Sequence, residues 1–347
     1  MTASTIGATI LGCLGPDLTA EEAAFFRAAN PWGFILFARN VEDPAQLRGL
    51  TTDLREAVGR DAPIFIDQEG GRVQRMRAPH WLEWLPPLDM VHLAKKGAAQ
   101  APEPGRALAA ACRAMELRYR IIASELRSVG IDANCAPCLD VASDSTHPFL
   151  RNRCFSEDAA EVAQLGRAAA NGLFAGGVLP VVKHMPGHGR ASLDSHKDLP
   201  VVAASRAALA AHDFAPFTAL NDLPLAMTAH IIYTAIDAAR PATTSPLMVE
   251  VIRNQIGFDG LLMSDDLSMS ALSGSLGERA AATLAAGVDI ALHCNGKPDE
   301  MAAVVAGAGY LRADAARRAS KALAARKPAD SVDIAALRSD LSALLGG

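Results

Sequence analysis

Residues 183–200, KHMPGHGRASLDSHKDLP, gather side chains that could hold a metal, bind a phosphate or transfer a proton. The stretch contains three histidines, two lysines and two aspartates, interrupted by glycine and proline. It lacks the Gly-x-x-x-x-Gly-Lys-Ser/Thr pattern of a phosphate-binding P-loop. His184 and His188 are four residues apart, but Pro186 and the glycines disfavour the regular helix that would aim both at one zinc ion. The stretch therefore favours acid/base chemistry on a loop.

Asp194 and His196 are the pair in this stretch that fits proton transfer. They are two residues apart, so on an extended segment their side chains lie on the same side. The carboxylate can bind one ring nitrogen and orient the other, which is the arrangement that makes histidine a general acid/base. A solvated loop with scattered polar residues is the alternative.

A second candidate is the carboxylate pair in SDDLSM, residues 264–269. Asp265 follows a run of apolar residues, and we expect it to project into a site, whereas Asp266 should point elsewhere if the strand pleat continues. From its position alone, Asp265 fits a nucleophile, a metal ligand or a structural partner of an arginine.

A third candidate is DQEGGRVQR, residues 67–75. Asp67 can accept hydrogen bonds from adjacent hydroxyls, and Arg72 or Arg75 can return to the same place as donors. The glycine pair allows a sharp turn or a close approach of the backbone to a ligand. A turn in which the aspartate and arginine pair only with each other is the alternative.

About eight strand-then-helix units must position these groups. The strands are apolar: ATILGCLG, GFILF, PIFIDQEGG, IDANCAPCLDV, VLPVVKHMPG, LPLAMTAHIIY, GLLMSDDLSM and VDIALHCN. Such runs are typical of a parallel sheet covered on both sides, so we predict an α/β fold, a single-domain (β/α)8 TIM-type barrel. We place the catalytic barrel at 1–330 and a C-terminal helical tail, packed on the barrel, at 331–347.

Polar residues collect where these apolar runs end, and in a barrel those ends meet at the face where active sites are built. They are Asp67, Asp140, Lys183, His184, His230, Asp265 and His293. Asp265 as nucleophile and a loop histidine as acid/base would make a variant of the two-carboxylate glycosidase site. Imidazole has the merit that it does not repel an anionic acceptor or leaving group.

The composition of the chain limits which binding partners and which cellular compartment we expect. The 347 residues carry a net charge of -5 without a long basic run, which disfavours nucleic acid and anionic membrane surfaces. We expect no signal peptide and no membrane-spanning segment. Six irregularly spaced cysteines predict reduced thiols in a cytoplasmic protein, and Cys135 and Cys138 should point to opposite faces of one strand.

The chain resembles glycoside hydrolase family 3, in particular its single-domain β-N-acetylglucosaminidases of the NagZ type. The resemblance covers roughly residues 8–300 and lies in segments that follow the family's order. These are GFILFARN, DQEGGRVQR, APCLDV, KHMPGHG, DSH, AHIIY, GFDG and SDDLSM.

The resemblance implies a retaining, two-step mechanism without metal or cofactor. Asp265 matches the nucleophile, and His196 matches the acid/base with Asp194 as its orienting partner. The residues that match the sugar-binding set are Asp67, Arg75, Arg153, Lys183 and His184, although around Arg153 the family more often shows Gly-Glu-Arg-Ser. We expect Gly187 and Gly189 to let the loop swing, carrying the Asp194–His196 pair over the bound sugar and away again.

By the same resemblance, the substrate carries a terminal β-linked N-acetylglucosamine, as in the anhydromuropeptides of cytoplasmic peptidoglycan recycling. Three alternatives stay open from the residues. The same site could use phosphate instead of water, as a phosphorylase. A metal-dependent amidohydrolase barrel would also gather His and Asp at strand ends, and a sugar-binding barrel without catalysis would need neither Asp265 nor the Asp194–His196 pair.

Overall fold

The computed structural model of the protein describes residues 5–98, 105–191, 193 and 199–346. Within these residues, eight parallel strands close into a barrel in which each strand pairs with its neighbours in the chain and the last pairs with the first. The strands are β1 (Gly7–Gly12), β2 (Pro31–Leu36), β3 (Ile64–Ile66), β4 (Ala133–Asn134), β5 (Leu179–Met185), β6 (Leu225–Thr228), β7 (Leu261–Asp266) and β8 (Ile290–His293). The predicted (β/α)8 barrel is confirmed, and each predicted apolar run supplies one strand.

Helices connect the strands and pack around the barrel. They are α1 (Ala20–Ala29), α2 (Pro44–Val58), α3 (Pro87–Ala98), α4 (Arg106–Ser128), α5 (Pro148–Arg151), α6 (Ala159–Ala175), α7 (Arg206–Ala208), α8 (Ala215–Ala219), α9 (Pro246–Glu250), α10 (Leu276–Ala286), α11 (Pro298–Ala308), α12 (Ala313–Ala324) and α13 (Ile334–Leu345). Short 3-10 turns lie at Ala38–Asn40 and Ala242–Thr244, and π-helical turns at Leu209–Asp213 and Val251–Gln255. Outside the barrel, Gln68–Gly70 pairs with Val73–Gln74, and Val201–Val202 pairs with Ile232–Tyr233.

Local sequence signals set the helix bounds. Helix α1 begins with a capping box, in which the Thr19 side chain accepts from the Glu22 amide and the Glu22 carboxylate accepts from the Thr19 amide. Helix α2 is capped by Asp43, has Pro44 in its first turn and is followed by Gly59, whose φ of 64° is left-handed. Each unit therefore returns the chain to the barrel at a defined residue.

One buried apolar cluster takes residues from all eight of the strands named above. It includes Ile10, Trp32, Phe65, Ala133, Val181, Met227, Met263 and Leu292. A filled barrel of this kind is a packed core and not a pore. It gives the strand ends a rigid base from which polar side chains project.

The fourth strand is shorter than predicted. Residues 131–141 were expected to form one strand, but barrel pairing as a strand is limited to Ala133–Asn134. Cys135 packs in the barrel cluster, whereas Cys138 lies in a separate small cluster with Phe149 and Cys154. All six cysteines are free, as the sequence predicts.

At the amino-terminal end of the barrel, Asp132 precedes β4 and is fully buried. Its Oδ1 accepts from the Ile64 amide at 2.8 Å, and its Oδ2 pairs with Arg55 at 3.2 Å and also with Arg326. The carboxylate therefore links the starts of β3 and β4 to Arg55 of α2 and to Arg326, which follows α12.

Helix α13 packs against α3 and α4 through Leu341, which is 6 % exposed. The division into a catalytic barrel and a tail at 331–347 stays a prediction. No helix among the described residues is long and apolar enough to cross a membrane.

Candidate active site

A cavity of about 500 Å³ opens at the carboxyl ends of the barrel strands. Pockets for small molecules span roughly 300–1,000 Å³, so its size suits a sugar. Met227 and Leu292 of the barrel cluster form part of its apolar lining. Its polar lining comprises Arg39, Asp67, Arg72, Arg75, Arg153, Lys183, His184, Asp265, Asp266 and Asn295. The structure thus brings together Asp265 and all the predicted sugar-binding residues.

Five charged side chains, four of which line the cavity, form an unbroken series of alternating sign, which we call the charge chain. Arg75 contacts Asp67 at 3.0 Å, and the other oxygen of Asp67 contacts the Lys183 ammonium at 2.8 Å. The ammonium also lies 2.6 Å from Glu69 Oε1. Glu69 then receives two parallel hydrogen bonds from Arg153, at 2.8 and 3.0 Å. A planar fork of this kind fixes orientation as well as distance.

The hairpin after β3 explains why Arg75 returns to Asp67. Gln68–Gly70 pairs antiparallel with Val73–Gln74, and the turn between them has Gly71 with a φ of 60°. The buried Gln68 side chain accepts from the amides of Arg75 and Met76 and donates to the Met76 carbonyl. Gln68 therefore closes the hairpin and fixes the backbone of Arg75, whose side chain faces Asp67.

The contacts within the charge chain shift the pKa values of its buried members. Burial alone would raise the pKa of Asp67, but Lys183 and Arg75 outweigh it and hold that pKa well below its usual value. Burial would likewise raise the pKa of Glu69, but Arg153 and Lys183 lower it to about 2. Burial would lower the pKa of Lys183, and the two carboxylates reverse this and raise it above its usual value. All of these groups are charged at neutral pH.

His184 is held from behind by Asp140, which is fully buried. The Asp140 Oδ2 atom lies 2.7 Å from His184 Nδ1, and its Oδ1 accepts from the backbone amides of His184 and His188 at 3.2 and 2.6 Å. The pKa of Asp140 lies well below its usual value because His184 and His188 outweigh the effect of burial. As an ionised carboxylate can only accept, Nδ1 of His184 donates and Nε2 faces Arg153 at 3.4 Å.

The same residues form a group that could hold a metal. The ligand atoms of Cys138, Asp140 and His184 lie within 4.8 Å of one another and are buried. Both oxygens of Asp140 already accept hydrogen bonds, including one from Cys138 Sγ at 3.3 Å. The arrangement is that of a hydrogen-bonded network which fixes the histidine ring.

Asp265 and Asp266 both line the cavity, which corrects the expectation that Asp266 points elsewhere. The register between β7 and β8 shifts between Met263 and Asp266, so the regular pleat does not continue to the end of the strand. Asp266 accepts from Ser268 Oγ at 2.6 Å and from the Cys294 amide at 3.2 Å. The Asp266 carboxylate therefore stabilises the end of β7. Asp265 Oδ1 accepts from the Asp266 amide at 2.8 Å.

Two strand-end histidines lie behind the cavity. His230 Nε2 donates to the Asp266 carbonyl at 3.0 Å, and its Nδ1 lies 2.7 Å from Thr243 Oγ1. Burial lowers the pKa of His230, so the ring is neutral and supports the end of β7. His293 is fully buried and lies 3.4 Å from Glu300. Neither histidine is among the residues that line the cavity.

The segment after β5 is closely packed as far as Ala191. A Cβ at Gly189 would lie 1.8 Å from the Val141 carbonyl oxygen, and one at Gly187, whose φ is 138°, would lie 2.9 Å from the Asp213 carbonyl oxygen. These positions need glycine for close backbone approach, and the swing of the loop stays a prediction. Asp194 and His196 lie outside the described residues.

Sequence reasoning missed Glu69 and Arg118. Arg118 is fully buried and donates to the backbone carbonyls of Glu69 and Leu85 at 2.5 and 2.7 Å. Strand alternation was the available signal for Glu69, because it follows Asp67 by two residues and so shares its side. Arg118 lies in the middle of α4, and its sequence context carries no such signal.

The model of the glycosyl hydrolase family 3 N-terminal domain matches residues 16–319. The chain belongs to glycosyl hydrolase family 3. Curated relatives include proteins named beta-hexosaminidase: the one from Bordetella avium is 37 % identical over 297 residues, which cover 84 % of this chain and 81 % of the relative. The one from Methylococcus capsulatus is 38 % identical and covers 84 % of each chain.

Solved structures of family 3 enzymes are also similar to this chain. NagZ from Neisseria gonorrhoeae, in complex with N-trifluoroacetyl-D-glucosamine, is 29 % identical, with a TM-score of 0.83 over 98 % of each chain. A family 3 β-N-acetylglucosaminidase from Paenibacillus has a TM-score of 0.79 and 28 % identity; this chain spans only 61 % of that longer protein. The family and the glycosidase class predicted from the sequence are confirmed.

Proposed function

We propose that the protein is a retaining glycosidase that releases terminal, non-reducing β-linked N-acetylglucosamine through a covalent intermediate on Asp265. Its family and its relatives' names make it a glycosidase of the β-N-acetylhexosaminidase type. The observation that carries the proposal is the placement of Asp265 at the end of β7, on the same cavity as the charge chain. A retaining enzyme needs a carboxylate at the anomeric carbon and a separate set of groups that hold the sugar ring.

In the first step, an oxygen of Asp265 attacks the anomeric carbon as the bond to the leaving oxygen breaks, and His196 gives its proton to that oxygen. The product is a glycosyl ester of Asp265 and a free alcohol. In the second step, His196 takes a proton from water, whose oxygen attacks the same carbon and frees Asp265. Asp194 orients His196 in both steps. The resemblance to the family assigns these roles to Asp194 and His196.

The charge chain and His184 supply the groups that hold the sugar. Asp67 is a carboxylate that accepts from sugar hydroxyls, and Arg75, Arg153 and Lys183 donate to them. Because these side chains are fixed by one another, they lose little conformational freedom when the sugar binds. His184 is oriented by Asp140 in the same way.

The natural substrate in this proposal is an anhydromuropeptide in the cytoplasm, hydrolysed during peptidoglycan recycling. A relative of similar length has been solved with an N-acylated glucosamine in complex, which supports an N-acetylglucosaminide as the substrate class. The size of the cavity suits one sugar ring with its leaving group at the opening.

The test is nitrophenolate release from nitrophenyl β-N-acetylglucosaminide, with the β-glucoside and a chelator-treated sample alongside. We expect chelator-resistant turnover of the acetamido sugar. Proton NMR of the first product should detect the β-anomer, as retention requires. Turnover lost on chelation would favour a metal-dependent hydrolase, and sugar 1-phosphate formed in phosphate buffer would make the protein a phosphorylase. No turnover of either glycoside would contradict the proposal.

A further inference from the structure

We propose that Glu69 is a positioning residue whose buried carboxylate holds the Arg153 guanidinium and the Lys183 ammonium in the arrangement that sugar binding needs. This inference rests on the sugar-binding roles proposed above for Arg153 and Lys183. Glu69 itself lies behind the cavity wall, with 1 % of its side chain exposed, and therefore acts through its neighbours.

The contacts of Glu69 leave it no freedom. Both of its oxygens accept from Arg153, and Oε1 also lies 2.6 Å from the Lys183 ammonium. The side chains of Lys183 and Arg153 are 2 % and 8 % exposed. Removal of the carboxylate would leave these nearly buried cations without their main partner, so Arg153 would have to move and Lys183 would have to move or lose its proton.

The backbone of Glu69 is fixed as firmly as its side chain. Arg118 donates to the Glu69 carbonyl, and the next residue, Gly70, has a φ of 105°. A Cβ at Gly70 would lie 1.8 Å from an Arg118 nitrogen, so the guanidinium occupies the space that a side chain would take. A buried arginine thus sets the position from which Glu69 reaches the two cations.

Charge balance explains why a carboxylate is needed here. The charge chain contains three cations, and Asp67 directly contacts Arg75 and Lys183 only. Without Glu69, Arg153 would lose its carboxylate partner and Lys183 would keep one of two. The pKa of Lys183 would then fall, because burial lowers it and the carboxylates are what raise it.

The experiment compares Glu69→Gln and Glu69→Asp with the intact enzyme, using nitrophenyl β-N-acetylglucosaminide and calorimetric binding of N-acetylglucosamine. We expect Glu69→Gln to raise KM and the Kd of the sugar by roughly 10- to 100-fold, since misplacing a contact group by about 1 Å costs on that order. We expect kcat to change far less than KM, because Glu69 holds groups that bind the sugar and not the nucleophile Asp265. Glu69→Asp keeps the charge on a shorter side chain and should restore KM and the Kd of the sugar in part.

A matched control is Asp289→Asn at the opposite end of the barrel. Asp289 is 4 % exposed and pairs with Arg253 at 2.7 Å and Arg318 at 3.0 Å. Its loss should lower the melting temperature without moving KM or the Kd of the sugar. Wild-type KM and Kd in Glu69→Gln, while the intact enzyme turns over, would overturn this inference alone. Failure of the intact enzyme both to turn over and to bind the sugar would overturn the proposed function and this inference with it.

Discussion

The buried carboxylate of Asp140 lies 2.7 Å from Nδ1 of His184, on the side of the ring away from the cavity. Asp140 also accepts from the amides of His184 and His188, so it fixes both the ring and the backbone that carries it. The carboxylate is not among the residues that line the active-site cavity and still decides which histidine nitrogen faces Arg153. Orientation of this kind is usual where a histidine must present one particular nitrogen.

Asp140→Asn should therefore weaken both folding and sugar binding. An amide can accept at one position only, and the hydrogen bonds lost to a charged group are worth about 2 to 4 kcal/mol of unfolding free energy. We also expect KM to rise because the His184 ring is no longer held in one orientation. Urea unfolding and steady-state kinetics measure the two effects. A variant with wild-type stability and KM would show that the contact is dispensable.

Asp265→Asn should remove the nucleophile without unfolding the protein. Loss of a catalytic nucleophile costs on the order of 10³-fold or more in kcat. The matched variant is Asp266→Asn, next in the chain, whose carboxylate holds Ser268 and the Cys294 amide. It should lower the melting temperature and reduce kcat far less. Equal losses of kcat in the two variants, measured by nitrophenolate release, would contradict the assignment of the nucleophile.

His188 should make stability depend on pH in the mildly acidic range. Burial lowers its pKa from 6.5 to about 4, so between these values the unfolded chain binds more protons than the folded one. The free energy of unfolding contributed by His188 is therefore full above pH 6.5 and is lost as the pH falls toward 4. The lowered pKa of Glu69 acts in the same direction, but only below 4.5.

This dependence is measured from urea midpoints across about pH 4.5 to 7.5, which covers most of the window of His188 and stays above the range in which Glu69 contributes. His188→Gln should flatten the slope, and His80→Gln, at an exposed position, should leave it as in the wild type. An unchanged slope in His188→Gln would assign the pH dependence to other groups.

Asp132→Asn should lower the free energy of unfolding without changing catalysis. Asp132 is fully buried at the amino-terminal end of the barrel, and its loss leaves Arg55 and Arg326 without a buried partner. Breaking a buried pair costs about 3 kcal/mol or more, while kcat and KM should stay as in the wild type. Asp259→Asn, in an exposed ion pair with Arg317, should cost less than about 1 kcal/mol. Urea unfolding of both variants tests this, and a fall in kcat would indicate that the two ends of the barrel are coupled.

The barrel and most of the cavity were predictable because they depend on patterns that the sequence repeats. Apolar runs define parallel strands, and the fold itself brings the polar residue after each run to one mouth. Asp67, Lys183 and Asp265 were found in this way. The position of a residue at a strand end does not distinguish side chains that face the cavity from those, like His230, that lie behind it.

What escaped prediction depends on local departures from regular geometry. The register shift near the end of β7 turned Asp266 toward the cavity, although strand alternation had placed it on the other side. The burial of Glu69 depends on a hairpin and on Arg118 of a distant helix, and neither can be read from DQEGG. Likewise, Gly189 is a point of backbone contact with Val141, which a glycine in a loop sequence does not reveal.

The charge chain also has a consequence for how the barrel opens. Its members come from three separate places: the hairpin after β3, the segment after α5 and the end of β5. If one of these places opened alone, buried charges on the other two would lose their partners. We therefore expect the three to open together as one cooperative unit. Backbone amides at these distant positions should then exchange with deuterium at a common free energy, as if they belonged to one element of structure.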